Sequence, residues 1–250
     1  MANERLRAAI LSAGFAIDTV ADELEVDRKT VERWIAGRRV PYKKHRYALA
    51  SLLDSDPAYL WPTDSPSEAS ELAMAELLAI YPIRSTVGND MWLRLFDDAD
   101  EQIDILVYAG FWLSEDPAVR RLLLSKIKSG VRLRYLLGVP DNAEVHQRGI
   151  DEGIGAAISA KIANMLHNYR DLVSLPGAEF RVHGTVLYNS IYRGDDDMLV
   201  NIHLYGAPAH MAPLLHLHRV PGAELFTGYL ESFERVWTGA SPLDVTTLVV

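Results

Sequence analysis

The chain of 250 residues contains no cysteine. That absence excludes a disulfide framework, a thiolate metal site and a cysteine nucleophile. No stretch approaches the run of ~18 apolar residues that a membrane span needs, so no membrane partner is expected. The first residues are charged and lack an apolar run, which argues against a secretory signal peptide. We therefore expect a cytoplasmic protein.

The sequence also lacks an excess of basic charge, because its formal net charge is −9. That balance excludes a uniformly basic coat protein for nucleic acids but leaves room for a local basic patch. The hydrophobic fraction is 49% and the charged fraction 24%, which is typical of a globular protein with a real core. The length fits one large domain or two ordinary ones.

One segment reverses the overall charge. Residues 1–62 carry ten basic and nine acidic side chains, so the remainder of the chain has a net charge of −10. Within residues 28–46, eight basic side chains stand against the single acid Glu32. Either a solvated charged face or a surface that faces phosphates would explain this excess. The eight basic residues are Arg28, Lys29, Arg33, Arg38, Arg39, Lys43, Lys44 and Arg46.

Short helices are predicted on both sides of this segment. Apolar residues at helical spacing indicate helices over residues 4–13 and 17–24. Asp27 is a good N-cap for a third helix, whose buried side would be formed by Val31, Trp34 and Ile35. Two further short helices fit the residues from 43 to 60.

This pattern resembles the helix-turn-helix of the Cro-repressor-like, xenobiotic-response-element family. Four positions depart from the family: Ala16 and Ile17 replace a Ser/Thr cap and Gln, Glu25 replaces a turn Gly, and Ile35 replaces Glu. The matching positions lie in the second and third helices, in the turn and after the third helix: Val20-Ala21, Leu24-x-Val26, Thr30-Val31, Arg33-Trp34 and Gly37-Arg38-Arg39-x-Pro41.

The resemblance implies that residues 1–62 bind double-stranded DNA, with the third helix in the major groove. Arg28, Lys29 and Thr30 would then face base edges, and Arg33 would follow one turn later. A helical dimerisation module with a charged face is the alternative. The residues expected beside phosphates are Arg38, Arg39, Lys43, Lys44 and Arg46.

The pattern changes after a Pro- and Ser-rich boundary, and a helical linker is predicted over residues 63–99. One of its helices is expected to continue as far as Ala79. From residue 100 to residue 250 a strand, a helix and a second strand predict a parallel β-α-β unit. A long helix, three strands and a final helix are expected to follow. The predicted helices lie at 114–129, 154–172 and 223–237, and the strands at 103–109, 131–137, 179–183, 186–192 and 198–204.

This order of elements resembles one half of the phospholipase D superfamily, whose motif is His-x-Lys-x4-Asp-x6-Gly-Ser-x2-Asn. The motif falls on His183, with Thr185 at the Lys position and Ser190 at the Asp position. Asn201 matches the final Asn. The fold class is therefore multidomain: an all-α helix-turn-helix domain followed by an α/β phospholipase D-like domain over residues 100–250. The resemblance also implies that two such halves pair.

The departures from the motif bear on catalysis. That chemistry uses a His nucleophile and a second His as acid, with Lys and Asn on the phosphate oxygens and Asp orienting a His. Thr185 supplies no fixed charge, and Ser190 cannot stabilise an imidazolium as a carboxylate does. We therefore predict no catalytic residues. Either His183 is a strand histidine with satisfied ring nitrogens, or it forms a ligand pocket with Thr185, Ser190 and Asn201.

Two further clusters contain residue types that bind metal ions. His216-x-His218 would place two imidazoles on one face of a strand, but no third ligand follows at suitable spacing. The histidines near the C-terminus, including His203 and His210, are instead expected in exposed loops. Residues 195–197 are predicted to form a solvated hairpin turn, because EF-hand spacing is absent. No metal and no cofactor are predicted.

Together these patterns predict a sequence-specific DNA-binding transcriptional regulator that acts as a homodimer. Its C-terminal domain would dimerise and could bind a small-molecule or anionic effector. Two alternatives stay open. One is a DNA-targeted phosphodiesterase or nuclease that acts as a dimer through His183, and the other is a protein-binding adaptor.

Overall fold

The computed structural model describes residues 2–61 and 68–244. The chain divides into two compact units, Met1–Ser67 and Glu68–Val250. Each unit has its own hydrophobic cluster. The prolines and serines of the predicted boundary at 62–67 lie outside the described residues.

The described residues of the first unit form five short helices and their connections. Leu6, Val20, Val31, Leu49 and Leu60 are fully buried at the centre of this unit. The five helices expected from apolar spacing are confirmed, with ends shifted by a few residues. They are α1 (Glu4–Ser12), α2 (Ile17–Glu23), α3 (Arg28–Ile35), α4 (Lys43–Leu52) and α5 (Pro57–Leu60).

The second unit is an α/β structure, as predicted for its fold class. Two short 3-10 helices lie at Arg84–Thr86 and Ala209–Met211. Its strands are β1 (Leu77–Tyr81), β2 (Gln102–Leu106), β3 (Arg132–Gly138), β4 (Ala178–His183), β5 (Asn189–Gly194), β6 (Asp197–Ile202), β7 (Leu214–His218) and β8 (Ser241–Pro242). Its α-helices are α6 (Glu68–Glu76), α7 (Asn89–Asp97), α8 (Phe111–Ser114), α9 (Pro117–Lys128), α10 (Ala143–Asp151), α11 (Ala157–Asn168), α12 (Arg170–Val173) and α13 (Leu225–Gly239).

The eight strands form one mixed sheet in the order β1-β7-β6-β5-β2-β3-β4-β8. Strand β3 pairs in parallel with β2 and with β4, which confirms the predicted parallel β-α-β unit. The other neighbouring pairs are antiparallel. Within the described residues, no helix combines the length and the apolar character needed to cross a membrane.

The segment predicted as a helical linker differs from that expectation. The helix expected to reach Ala79 ends at Glu76, and the following residues form the edge strand β1 against β7. Glu76 is fully buried, and its carboxylate accepts the backbone N–H groups of Leu225 and Phe226 at 2.8 and 3.1 Å. This cap on the first turn of α13 holds the end of α6. The structure thus assigns residues 68–99 to the second unit.

Two other boundaries differ from the sequence pattern. The long helix predicted over residues 154–172 is divided at Tyr169, whose hydroxyl donates to the Leu113 carbonyl at 3.1 Å. Helix α10 was not predicted. Its apolar residues are few, and its N-cap is Asn142, whose side chain accepts from the backbone of Glu144 and Val145.

A buried ion network joins the parallel part of the sheet to α13. Asp104 on β2 is fully buried and pairs with Arg134 at 2.7 Å and with Arg193 at 2.6 Å. Arg134 also pairs with Glu234 on α13 at 2.7 Å and lies over the ring of Phe233. These contacts give Asp104 a structural role, because a buried carboxylate needs partners for its charge.

Candidate functional site

The nine residues predicted to contact DNA lie in α3, in α4 and in the segment between them. Seven of the nine side chains are exposed, and those of Thr30 and Arg46 are half-buried. We call residues 28–46 the basic segment. Its nine predicted contact residues are Arg28, Lys29, Thr30, Arg33, Arg38, Arg39, Lys43, Lys44 and Arg46.

The local sequence explains how α3 presents its basic side chains. The Asp27 carboxylate accepts the Lys29 N–H at 2.7 Å and so caps the first turn. Val31 and Trp34 are buried, as predicted, and this apolar face holds α3 on the core of the first unit. Lys29 and Arg33 therefore point away from that core. In the turn between α2 and α3, Glu25 has φ +51°, the left-handed conformation that a glycine would adopt more easily.

Arg28 differs from the other basic residues of α3 because it is paired. Its guanidinium bonds to Asp18 on α2 at 2.8 Å and to Glu32 on α3 at 2.9 Å. The three side chains are exposed, so these pairs contribute little to stability and can exchange for another partner. Arg28 thus links α3 to α2 in the free protein. Its predicted contact with a base would require both ion pairs to break.

Six exposed basic side chains of the segment, and the half-buried Arg46, form no ion pair with the described residues of the chain. Arg39 contacts the Tyr42 hydroxyl at 3.5 Å, and Lys43 lies 5.9 Å from the centre of the Tyr47 ring. Exposed cations without carboxylate partners create a positive potential that attracts phosphates. The six are Lys29, Arg33, Arg38, Arg39, Lys43 and Lys44.

The second unit contains a cavity of about 510 Å³ beyond the carboxyl end of β2. The connection from β2 to α8 forms one wall, and Gly110 in it has φ +60°. A Cβ at Gly110 would lie 2.2 Å from the Tyr135 hydroxyl, so the close approach requires glycine. The lining includes Arg84, Tyr108, Trp112, Lys161, Ser190 and His203. Of the four residues predicted to form a ligand pocket, only Ser190 lines this cavity.

His183 ends β4 and is only 3% exposed. Its Nε2 lies 3.1 Å from the Val107 carbonyl, while its Nδ1 accepts the Thr185 N–H at 3.3 Å. This arrangement requires a proton on Nε2 and none on Nδ1. Burial also lowers the pKa of His183. The side chain is therefore a neutral strand histidine with satisfied ring nitrogens, which is one of the two roles expected for it.

Thr185 and Asn201 are also outside the cavity lining. Thr185 is exposed in the connection between β4 and β5. Asn201 is fully buried on β6, directly across from Ser190 on β5, and its amide donates to the Pro213 carbonyl at 2.9 Å. Ser190 and Asn201 are cross-strand neighbours on one face of the sheet, but only Ser190 reaches the cavity. The four predicted residues therefore do not line one cavity, because His183 is held by backbone groups and Thr185 lies in an exposed connection.

Ser190 instead contacts a histidine that the motif did not include. Its Oγ lies 3.0 Å from His203 Nε2, and His203 Nδ1 lies 3.1 Å from the Leu187 carbonyl. The carbonyl can only accept, so Nδ1 donates and Nε2 accepts from the Ser190 hydroxyl. Burial and the positive charges of Arg148 and Arg84 lower the pKa of His203 to about 4. His203 is thus neutral near pH 7.

The hairpin turn predicted at residues 195–197 is confirmed between β5 and β6, and His210 is exposed as expected. His216 and His218 differ from the expected exposed loops because they lie on β7. His216 and His218 lie on one face of β7, at 3.5 and 3.2 Å from Asp197 Oδ1. The Asp195 carboxylate accepts three backbone N–H groups at residues 100–102, which holds its pKa below the usual range against the opposing effect of burial. In the described part of the chain, no group of three or more His, Asp or Glu side chains is placed to hold a metal ion.

Sequence reasoning missed most of the cavity lining. Arg84 stands in a short segment without periodicity, so no local signal marks it. For Tyr108 and Gly110 a signal existed, since ligands bind beyond the carboxyl ends of parallel strands in α/β sheets. That rule, applied to the predicted strand at 103–109, points to the connection that forms the wall.

No protein-family model matches the chain, and no curated protein matches it. Among solved structures, it is similar to TrmBL2, an archaeal chromatin protein that shows a novel mode of DNA binding, with a TM-score of 0.43 and 12% identity over 86% of this chain and 66% of that one. Nuc from Salmonella typhimurium, a phospholipase D family member, gives a TM-score of 0.39 and 14% identity over 66% of this chain and 95% of that one.

NucT from Helicobacter pylori gives a TM-score of 0.42 and 9% identity over 66% of this chain and 98% of its own. The chain therefore spans 66% of the length of TrmBL2. The matches to Nuc and NucT span 95% and 98% of those proteins but involve only 66% of this chain. Similarities at this level carry no conclusion about what this chain binds or catalyses.

Proposed function

We propose that the protein is a sequence-specific DNA-binding transcriptional regulator whose first unit reads double-stranded DNA. The observation that carries this proposal is the exposed, unpaired positive charge of the basic segment in a protein with a net charge of −9. An acidic protein that keeps six cations free of carboxylates on one short segment has a surface suited to phosphates. The arrangement of α2, a four-residue connection and α3 supports the docking of α3 in the major groove.

Within this proposal the basic side chains have two different roles. Lys29, Thr30 and Arg33 reach base edges from the outer side of α3, where Lys and Arg donate to guanine O6 and N7 and Thr contacts a thymine methyl. The residues after α3 contact phosphates and set the register of the helix. Those residues are Arg38, Arg39, Lys43, Lys44 and Arg46.

The second unit, in this proposal, pairs two copies of the chain and binds an effector without catalysing a reaction. A short helix-turn-helix gains affinity and specificity when two copies bind adjacent half-sites. The absence of phosphodiesterase activity is supported by His183, whose two ring nitrogens are occupied by backbone groups, and by Thr185 and Ser190 at the charged positions of the motif. The nuclease alternative would require His183 to leave both contacts.

The test is selection of bound fragments from random double-stranded DNA by the full-length protein. We expect an inverted-repeat motif, because a symmetric dimer reads two half-sites. The double variant Lys29→Ala/Arg33→Ala should lose the motif. The matched control is Arg121→Ala/Arg132→Ala, which removes the same charge from exposed positions of the second unit.

Two results would contradict the proposal. Wild-type protein that enriches no motif does not read sequence, and equal loss of the motif in the control would assign binding to overall charge. Phosphodiesterase turnover that disappears with His183→Ala would favour the nuclease alternative.

A further inference from the structure

Arg84 is buried at the wall of the cavity without a counter-charge. Its side chain is 8% exposed, and its guanidinium lies over the Trp112 ring at 4.5 Å from the ring centre. Its Nε is inaccessible and has no hydrogen-bond partner, a property that it shares with Arg148. Within residues 2–61 and 68–244, no carboxylate lies at ion-pair distance from it. The contact with Trp112 orients the guanidinium but does not neutralise it.

The other buried arginine of the described part shows what a structural role requires. Arg148, 7% exposed, pairs with Glu152 at 2.6 Å and donates to the Ala207 carbonyl at 3.2 Å. Arg148 thus has a carboxylate and a backbone acceptor, whereas Arg84 has neither. Because a buried charge without a partner is costly, a position that retains one points to a partner that arrives from outside the chain.

The remaining charges of the cavity favour an anion as that partner. Lys161 also lines it, half-buried and with no ion pair to the described residues. Glu152 is engaged by Arg148, which leaves the exposed Glu115 as the acid opposing Arg84 and Lys161. The local excess is therefore positive.

Apolar and polar groups define the rest of the ligand. Tyr108, Trp112 and Ile158 provide apolar walls, and the cavity volume of about 510 Å³ suits a small organic molecule. The Ser190 hydroxyl donates its proton to His203, so its oxygen is left to accept a hydrogen bond from a ligand hydroxyl or amine. Aromatic walls beside a guanidinium fit a flat apolar body that carries a charged group.

We propose that this cavity binds a small organic anion, whose carboxylate or phosphate pairs with Arg84 and Lys161 while its flat apolar part packs against Trp112 and Tyr108. The effector role of this ligand rests on the proposed function, whereas the binding site does not. The site differs from the predicted pocket of His183, Thr185, Ser190 and Asn201, with which it shares only Ser190.

Calorimetric titration of the full-length protein without DNA tests the site. The probes are benzoate, adenosine monophosphate and inorganic phosphate, which separate a carboxylate, a phosphate with an attached planar group and a bare anion. We expect benzoate or adenosine monophosphate to bind, and Arg84→Gln to weaken that binding at least about tenfold, the scale of one lost charged contact. Arg132→Gln removes the same charge from an exposed position and should bind as the wild type does.

The proposal would be overturned if Arg84→Gln bound every probe as tightly as the wild type does. It would also be overturned if the wild type bound none of the three probes at millimolar concentration. Inorganic phosphate binding as tightly as the two aromatic probes would overturn the apolar part of the assignment. Because no DNA is present, an Arg84-dependent titration in a protein that fails to select a DNA motif would retain this site and refute the regulator.

A second measurement needs no ligand. If Arg84 serves a ligand, Arg84→Met removes an unpaired buried charge, and the thermal unfolding midpoint of the ligand-free protein should stay the same or rise. If Arg84 is structural, the midpoint should fall, and that result would overturn the proposal. Arg148→Met is the matched comparison, and it should lower the midpoint because it strands Glu152.

Discussion

The two units use basic side chains in opposite ways. In the first unit, Lys29 and Arg33 are exposed and have no acidic partner among the described residues. In the second unit, Arg134 and Arg193 are largely buried and share the carboxylate of Asp104. The comparison shows that pairing separates structural cations from available ones, and that burial alone does not. Arg84 combines the two patterns, because it is buried like the structural arginines and has no carboxylate partner, like the exposed cations. The comparison therefore marks Arg84 as available to a ligand.

The largest expected effect comes from breaking the paired side of this comparison. Asp104→Ala should destabilise the second unit by about 3–5 kcal/mol, because Arg193 loses its carboxylate partner and Arg134 keeps only Glu234. Urea unfolding of the full-length protein measures the change. Asp196→Ala, which removes an exposed carboxylate paired with Arg219, is the control and should cost about 1 kcal/mol or less. Similar losses in the two variants would refute the structural role given to the network.

The next effect comes from the histidine beside the cavity cations. The pKa of His203 is lowered to about 4, against about 6.5 in the unfolded chain. The unfolded state therefore takes up the proton first, and this group's contribution to stability is complete above about pH 6.5 and is lost as pH falls toward 4. Unfolding measured across that range should show a shallower loss in His203→Gln than in the wild type. An unchanged slope would mean that His203 is not neutral in the fold.

On the unpaired side, single changes should separate base contacts from phosphate contacts. Arg33→Ala should weaken binding to the selected site by about 1–3 kcal/mol and relax its sequence preference. Lys43→Ala and Lys44→Ala should weaken binding to all sequences alike and each reduce the salt slope by about 1. Fluorescence anisotropy at several salt concentrations measures both quantities. Equal loss on every sequence in Arg33→Ala would make Arg33 a phosphate contact.

The smallest effect concerns the start of α2. Ala16 is its N-cap and makes no side-chain hydrogen bond to the helix, so Ala16→Ser should stabilise the first unit by about 1 kcal/mol. Hydrogen exchange of the amides of α2 measures this local change. Ala13→Ser, a C-cap position of α1, is the control and should have no such effect. Unchanged protection in Ala16→Ser would show that the α2 terminus is held by other contacts.

The predictability of the fold differed between the two units for a physical reason. The helices of the first unit are set by contacts within a few residues, such as the Asp27 cap and the apolar spacing of Val31 and Trp34. The spacing of Leu72, Ala75, Leu78 and Ala79 predicts a helix as far as Ala79, which is wrong for the start of β1. The extended form of this strand depends on pairing with β7, far along the chain. The candidate DNA-contacting residues came from local charge, and Arg28 departed from them because its partner Asp18 lies on the neighbouring helix.

The amino-acid sequence by itself determined the helical first unit, the parallel β-α-β core and the basic segment, because local periodicity and charge specify each of them. Only the tertiary structure decided what the motif-like residues do. It ties His183 to the Val107 carbonyl across 76 residues and joins Ser190 to His203. It also leaves Arg84 without a counter-charge beside Trp112. Such arrangements depend on which groups folding brings within hydrogen-bond distance, and no spacing along the chain encodes that distance.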